Sequence, residues 1–204
     1  MTAKLLGNLP KGKIFVVSAP AGTGKTTLVQ MLVAEFPSVV ENISYTTRPI
    51  RPGEISGVHY HFITENEFEQ KIKDQEMLEY ATIYGNYYGT SFQSIQELQR
   101  MGKHVVLVID TQGALQLMEK LKSTPAVFIF IKAPSEETLR QRLIKRRTES
   151  VESIETRLNW AKKELETAER YDYCIVNDDL AIAYQVLRGI VIAEEHRIDK
   201  ITNL

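Results

Sequence analysis

Short, unbroken apolar runs alternate along this chain with longer segments in which apolar residues recur at helical spacing. The runs predict buried strands at residues 14–17, 105–109, 126–131 and 174–176. The amphipathic segments predict helices at residues 26–36, 91–101, 111–122 and 180–195. Because strands covered on both faces alternate with helices in parallel sheets, the pattern predicts an α/β fold with an open, mostly parallel central sheet.

Residues 44–90 interrupt this alternation. The segment opens with a polar, proline-rich stretch that cannot be a central strand. Thr64 and Glu67 form a capping box before a short helix, with Phe68 and Ile72 on its inner face. The other elements predicted are an extended segment, two short strands and a turn, at residues 59–63, 77–80, 81–84 and 85–90. Together they predict a small β-rich lobe.

Residues 135–158 form a second interruption, which is helical. Ser135 and the acidic residues after it are typical of a helix N-terminus, and this helix runs into an arginine-rich segment at residues 140–147. One apolar face of a following long helix is predicted from Ile154, Leu158, Ala161, Leu165 and Ala168. We predict a single domain over residues 1–204, with its core in residues 12–43, 91–134 and 159–204 and a helical lid in residues 135–158.

The segment between the first strand and the first helix has the sequence of a phosphate-binding loop. Gly22 and Gly24 let successive N–H groups point inward, and the helix that follows adds its positive N-terminal end. Lys25 would reach the β- and γ-phosphates of a nucleotide, and the Thr26 hydroxyl would ligate Mg²⁺. The usual pattern has glycine where this chain has Ala19, whose backbone must therefore avoid positive φ. The predicted loop comprises Ala19, Pro20, Ala21, Gly22, Thr23, Gly24, Lys25, Thr26 and Thr27.

Polar residues follow two other predicted strands. Asp110 and Asn177 each come directly after an apolar run. Because ligands bind beyond the carboxyl ends of parallel strands, both residues should lie at the same edge as the P-loop. Asp110 is predicted to bind Mg²⁺, and it also has the sequence context of an N-cap for the next helix; the two roles are compatible.

Two groups of arginines suggest further anion sites. Arg142 and Arg146 are four residues apart and share a helix face, together with Arg157 on the next helix; they favour a lid that closes over the γ-phosphate, the alternative being a solvated helix face. Arg48 and Arg51, in a loop stiffened by proline, suit a bidentate phosphate clamp. Tyr60 and Tyr88 would add phenolic donors, although surface arginines and core tyrosines are common. Two facing phosphate sites are the arrangement that a nucleoside monophosphate kinase needs.

The composition narrows the class of protein. The chain has 204 residues, a net charge of −1 and a single cysteine. The balanced charge disfavours nucleic acid as the main partner, and no apolar span is long enough for a membrane. Cys174 cannot form an intramolecular disulfide, and its strand predicts a buried, inert thiol. We therefore expect a cytoplasmic protein with no membrane partner; its oligomeric state, monomer or homo-oligomer, is not determined by the sequence.

Residues 44–62 resemble the GMP-binding signature of guanylate kinases. The resemblance extends from about Gly12 to Glu195 and includes residues 85–90, 109–113, 146–149 and 175–180. It implies a P-loop three-layer α/β fold in which residues 44–90 are the GMP-binding lobe. It also implies phosphoryl transfer from ATP to GMP or dGMP, giving ADP and GDP, with Mg²⁺ as cofactor, in purine nucleotide metabolism.

The resemblance also assigns roles to individual residues. Those implied to hold the GMP phosphate are Arg48, Arg51, Tyr60 and Tyr88, and those implied to read the guanine are Ser44, Glu79 and Thr90. An ionised Glu79 would accept both the N1–H and the exocyclic amine of guanine, and adenine cannot supply this pair of donors. Residues implied to contact ATP phosphates or to bridge the substrates are Arg142, Arg146 and Arg157, and Asn177 is implied to lie near the adenine.

Two further positions depart from the family pattern. Val108 stands where guanylate kinases commonly have Asp, and Arg147 replaces the usual Gly after the lid arginine. Two alternatives to the guanylate kinase reading remain: a kinase for another nucleoside monophosphate, and a phosphopeptide-binding scaffold of the guanylate kinase-like type. Such scaffolds typically lose the P-loop, whereas Lys25 and Thr26 are present here.

Overall fold

The computed structural model describes residues 4–83, 85–121, 126–145 and 151–198. In chain order the strands and helices are β1 (Ile14–Ser18), α1 (Lys25–Glu35), β2 (Val39–Glu41), β3 (Tyr45–Thr46), β4 (His61–Phe62), α2 (Glu65–Lys73), β5 (Met77–Ile83), β6 (Asn86–Ser91), α3 (Phe92–Arg100), β7 (His104–Ile109), α4 (Thr111–Lys120), β8 (Ala126–Lys132), α5 (Glu136–Lys145), α6 (Val151–Leu165), β9 (Tyr173–Val176) and α7 (Leu180–Glu195). A short 3₁₀ helix, Ala168–Arg170, precedes β9.

The central sheet has five strands in the order β2-β7-β1-β8-β9, and every neighbouring pair is parallel. Side chains of β1 alternate between the two faces: Phe15 and Val17 join a core with α1 and α7, and Ile14 and Val16 join another with α3 and α4. Because both faces are covered, every residue of β1 is buried. The predicted three-layer fold with a mostly parallel sheet is confirmed.

A second sheet of four strands, in the order β4-β3-β6-β5, forms the lobe predicted from residues 44–90. The prediction of two short strands and a turn was wrong in detail, since β5 is continuous and most of residues 85–90 belongs to β6. Of the described residues between the two strands, Gly85 lies in the turn of this hairpin, at φ 78°. Gly89 lies within the strand, where a Cβ would come 2.8 Å from the Phe68 ring and 2.9 Å from the Glu79 carbonyl.

Helices α5 and α6 form the predicted lid region and pack through a small core of their own. Its buried residues are Leu139, Leu143, Ile154, Leu158 and Ala161. Leu165 was also predicted on the buried face, but it is the last residue of α6 and is exposed. Ala168 lies beyond the helix and packs on the central core. Helix α6 continues past the boundary predicted after residue 158.

The sequence pattern missed one strand, and the expectation for Cys174 was wrong. Strand β2 was not predicted, because its apolar run of Val39 and Val40 ends at once in a glutamate. Cys174 is exposed and not buried. It lies on β9, the edge strand of the central sheet, where Ile175 packs beneath α7 while Cys174 and Val176 face outward.

Candidate active site

The P-loop joins the end of β1 to the start of α1 with the geometry that its sequence predicts. Gly22 and Gly24 have φ values of 90° and 91°, whereas Ala19 does not adopt positive φ, as expected. A Cβ at Gly24 would lie 2.4 Å from the Asn177 amide nitrogen. That amide donates to the Thr23 carbonyl at 2.7 Å, so Asn177 braces the loop from behind. The sequence did not predict this contact.

Lys25 lies in a ring of backbone carbonyls and carboxylates. Its Nζ donates to the carbonyl of Ile109 at 3.0 Å and to that of Ala19 at 3.4 Å. Burial lowers the Lys25 pKa, and Glu164, Asp110 and Glu41 oppose this effect because each attracts the ammonium charge. The amine therefore lies where the ends of β1 and β7 meet the P-loop.

The oxygen atoms around Lys25 fit a magnesium ion. Thr26 and Asp110 line the same cleft, as predicted for metal binding, and Glu164 joins them from α6. Asp110 also caps α4, because its Oδ1 accepts from the Gly113 N–H at 2.9 Å, so the N-cap role is confirmed. Among the described residues no three acidic or histidine side chains group closely enough to hold a metal alone. Mg²⁺ suits such a site, since it keeps several waters and uses substrate phosphates as ligands.

Glu79 is a buried carboxylate between the lobe and α4. Only 3% of it is exposed, and burial raises its pKa to about 7, while the Thr90 hydroxyl and Lys120 oppose the rise. Thr90 is its partner in the β5–β6 register, and it is fully buried. A Cβ at Gly113 would lie 2.4 Å from Glu79 Oε2, so the first turn of α4 leaves space for this carboxylate. Ser44 lies just before β3, half-buried, and its carbonyl accepts from His61 N at 2.8 Å.

The arginine loop of the lobe is held by an ion pair that the sequence did not predict. Glu54 accepts from Arg48 Nη1 and Nη2 at 2.9 and 2.8 Å, and from the Arg51 N–H at 2.8 Å. The Arg48 guanidinium lies 5.5 Å from the Tyr60 ring centroid, and the Tyr60 and Tyr88 rings meet edge to face at 5.9 Å. These contacts link the four residues predicted to hold the acceptor phosphate, Arg51 through its backbone N–H.

A cleft of about 310 Å³ connects the P-loop with the lobe. From the lobe, Arg51 and Tyr88 line it, and from α6 it is lined by Arg157, Trp160 and Glu164. Sequence reasoning missed Trp160 and Glu164. Their spacing of three and seven residues from Arg157 places them on one helix face, which a helical projection of α6 would have revealed.

The predicted lid arginines do not all meet in this cleft. Arg142 lines a second cleft, of about 330 Å³, on the other side of the P-loop together with Asn177 and Gly24. Its Nη2 donates to the Asp178 carbonyl at 3.4 Å. Arg146 lies outside the described residues, as does Arg147. Arg142 and Arg157 therefore flank the loop from two sides.

The parallel sheet and the P-loop define a P-loop nucleotide-binding protein, and basic side chains of the lobe and of α6 line the same cleft as the loop. A model of the guanylate kinase family matches residues 11–194. The chain is 58% identical over 194 residues to a guanylate kinase of Protochlamydia amoebophila, an alignment that covers 95% of this chain and 97% of that protein. It therefore belongs to the guanylate kinase family.

Further comparisons agree with this membership. A guanylate kinase of Chlamydia trachomatis serovar D is 49% identical over 187 residues, which cover 91% of this chain and 90% of that protein. The crystal structure of guanylate kinase from Anaplasma phagocytophilum matches with a TM-score of 0.76 and 33% identity, covering 92% and 88% of the two chains. None of the helices in the described part of the chain is long and apolar enough to cross a membrane.

Proposed function

We propose that this protein transfers the γ-phosphoryl group of ATP to GMP, or to dGMP, and releases ADP and GDP or dGDP. The observation that carries the proposal is the continuous cleft that P-loop residues share with Arg51 and Tyr88 of the lobe. Family membership supports the same activity. A cytoplasmic role in purine nucleotide metabolism is part of this proposal.

On the donor side, the P-loop N–H groups bind the ATP phosphates and Lys25 reaches the β- and γ-phosphates. Thr26 and Asp110 would hold Mg²⁺, with Glu164 beside them. The ion, when bound, neutralises charge on the phosphates and orients them. The second cleft, which Asn177 and Arg142 line, is the proposed site of the adenine.

On the acceptor side, the lobe binds GMP by both of its ends. The GMP phosphate is held by Arg48, Arg51, Tyr60 and Tyr88. Glu54 keeps the Arg48 guanidinium in place. At the other end, the base is read by Ser44, Glu79 and Thr90. The buried Glu79 matches the two adjacent donors of guanine, and a wrong base would leave it without hydrogen bonds, a mismatch that costs roughly 10⁴-fold in specificity.

Transfer needs positioning and charge stabilisation more than proton abstraction, because the transition state is loose. Arg157 already faces both phosphate sites, and Arg142 and Arg146 would approach as the lid, residues 135–158, closes. Closure of the lid and of the lobe, residues 44–90, over the core would exclude water from the transferred group.

A coupled assay of ADP release with ATP, Mg²⁺ and GMP tests the proposal. We expect turnover with GMP and little with AMP, CMP or UMP. A folded protein that lacks turnover but binds a phosphopeptide would support the scaffold alternative, and turnover with another monophosphate would support a different kinase.

Glu79→Gln tests the assignment of guanine recognition. The amide loses one acceptor and presents a donor to the guanine amine, so kcat/KM for GMP should fall by about 100-fold or more while AMP turnover is unchanged. Exposed Glu69→Gln on α2 is the matched control and should behave like the parent. Preserved selectivity for GMP over AMP in Glu79→Gln would contradict the assignment.

A further inference from the structure

Glu41 is the last residue of β2, which pairs with β7. Strand β7 ends at Ile109, whose carbonyl accepts a hydrogen bond from Lys25. In the parallel pairing of β2 with β7, Glu41 is opposite Val106, and the Asn42 N–H donates to the Val106 carbonyl at 2.9 Å. Paired residues of neighbouring strands point to the same face, as do residues two apart on one strand. Glu41 therefore shares a face with Val108.

That face is the one that α1 covers. Val106 belongs to the core beneath α1 and α7, and Val108 packs against the same core. The next residue, Ile109, accepts the hydrogen bond from Lys25 Nζ at 3.0 Å. The ammonium thus lies at the end of β7, next to the position where guanylate kinases commonly have Asp and where this chain has an uncharged Val108.

Glu41 is close enough to act at this position. One strand spacing and two residues along the strand separate the Cα atoms of Glu41 and Val108, which is roughly 8 Å. Glutamate is one methylene longer than aspartate, and Glu41 is half-buried, so its carboxylate is partly withdrawn from water. The basic side chains that influence it electrostatically are Lys25 of the P-loop and His59 of the lobe.

We infer that Glu41 supplies, from β2, the carboxylate that this chain lacks at position 108, and that it is a positioning residue for Lys25 in phosphoryl transfer. The inference rests on the proposed function. Glu41 has no role predicted from the sequence. In this inference it balances the charge of Lys25 and keeps the Lys25 amine directed at the donor phosphates.

The electrostatic surroundings of Glu41 agree with this role. Burial raises the Glu41 pKa, and the electrostatic influence of Lys25 and, to a smaller extent, of His59 opposes the rise. The end of β2 is thereby coupled electrostatically to the ammonium of the phosphate-binding loop.

The test exchanges the two positions. Glu41→Val should lower kcat by about 10-fold or more with the KM for GMP within about 2-fold, because only the donor site changes. Val108→Asp alone should bring no gain, since it adds a second carboxylate. The double variant, Glu41→Val with Val108→Asp, should recover kcat to within about 3-fold of the parent, because the charge returns from β7.

Binding gives a readout that does not depend on turnover. Calorimetric affinity for a non-hydrolysable ATP analogue with Mg²⁺ should fall by about 5-fold or more in Glu41→Val and return in the double variant. Glu41→Gln removes the charge and keeps the shape of the side chain. If Glu41→Val fails to fold, the same kcat and affinity measurements are made on Glu41→Gln. Glu69→Gln serves again as the exposed control.

The outcomes separate the two proposals. A parent protein without kinase activity would contradict the proposed function. An active parent whose Glu41→Gln variant keeps its kcat and its analogue affinity would overturn the role of Glu41. Loss in Glu41→Val without recovery in a folded double variant would also overturn it, because the carboxylate would then act elsewhere.

Discussion

In the proposed function, the buried Glu79 couples guanine recognition to pH. Burial raises its pKa to about 7, so the carboxyl is about half protonated at pH 7 before GMP binds. Only the ionised form accepts both donors of guanine. Binding must therefore release the proton that the empty site retains.

GMP binding should release about half a proton at pH 7, and GMP affinity should fall as pH drops below 7, because the protonated fraction grows. Calorimetry in buffers of different ionisation enthalpy measures the release. Glu79→Gln is the control that removes the contribution of residue 79 and leaves that of the GMP phosphate. Equal proton release in the parent and in Glu79→Gln would contradict this prediction.

At the scale of elements, the site depends on how closely α4 approaches β5. Asp110 caps α4 and so sets where the helix begins. Gly113, in its first turn, then passes directly over the Glu79 carboxylate, with space for no side chain. The helix start thereby positions both Asp110, the predicted metal ligand, and the Glu79 carboxylate, which we propose reads the base.

Gly113→Ala should reduce GMP affinity by about 10-fold or more, because the added methyl displaces the Glu79 carboxylate. Stability should change little, since alanine favours the helix by about 0.8–1.0 kcal/mol and offsets part of the strain. Gly189→Ala, on α7 where a Cβ meets open space, is the matched control. Fluorescence titration and thermal unfolding check both variants, and unchanged GMP affinity in Gly113→Ala would contradict the argument.

At the scale of the whole molecule, Glu195 ties the two ends of the chain to the sheet. From the end of α7 it accepts from the N–H groups of Gly7 and Asn8 at 2.6 and 3.0 Å. Its other partner is the buried His104 of β7, at 2.5 Å. Because Lys13 N–H donates to His104 Nδ1, the proton lies on Nε2 and points to Glu195.

Burial alone would raise the Glu195 pKa, but the donors from Gly7, Asn8 and His104 outweigh it and lower the pKa to about 2. A depressed carboxyl pKa stabilises the folded state above the unfolded value of 4.5, and this stability is lost as pH falls towards 2. Glu195→Gln should therefore cost roughly 3 kcal/mol at pH 7.

Denaturant unfolding between pH 7 and pH 2 measures this effect. The parent should lose stability below about pH 4.5, and Glu195→Gln should show a shallower dependence there. Exposed Glu169→Gln should follow the parent. An unfolding free energy that is equal in the parent and in Glu195→Gln at pH 7 would refute the proposed tie.

Much of the fold was predictable from local patterns. Apolar runs predicted strands β1, β7 and β8. The helix over Leu180–Glu195 was predicted with the same first and last residues as in the structure. The secondary-structure predictions were wrong where pairing with other strands decides the structure. Strand β2 is too short to carry its own pattern, and residues 85–90 contain turn-forming residues that pairing with β3 and β5 holds extended.

The sequence by itself determined the P-loop and the arginine loop, because these depend on residue types at short spacing. The guanine role of Glu79 was implied only by the resemblance to guanylate kinases and stays a prediction. Tertiary structure alone decided which groups meet. Trp160 and Glu164 reach the cleft because α6 packs across it, and Glu41 ends beside β7 because β2 pairs with that strand. Distant segments also decide which residues are buried, and no local pattern contains them. Glu79 is buried, which raises its pKa, whereas Cys174 is exposed.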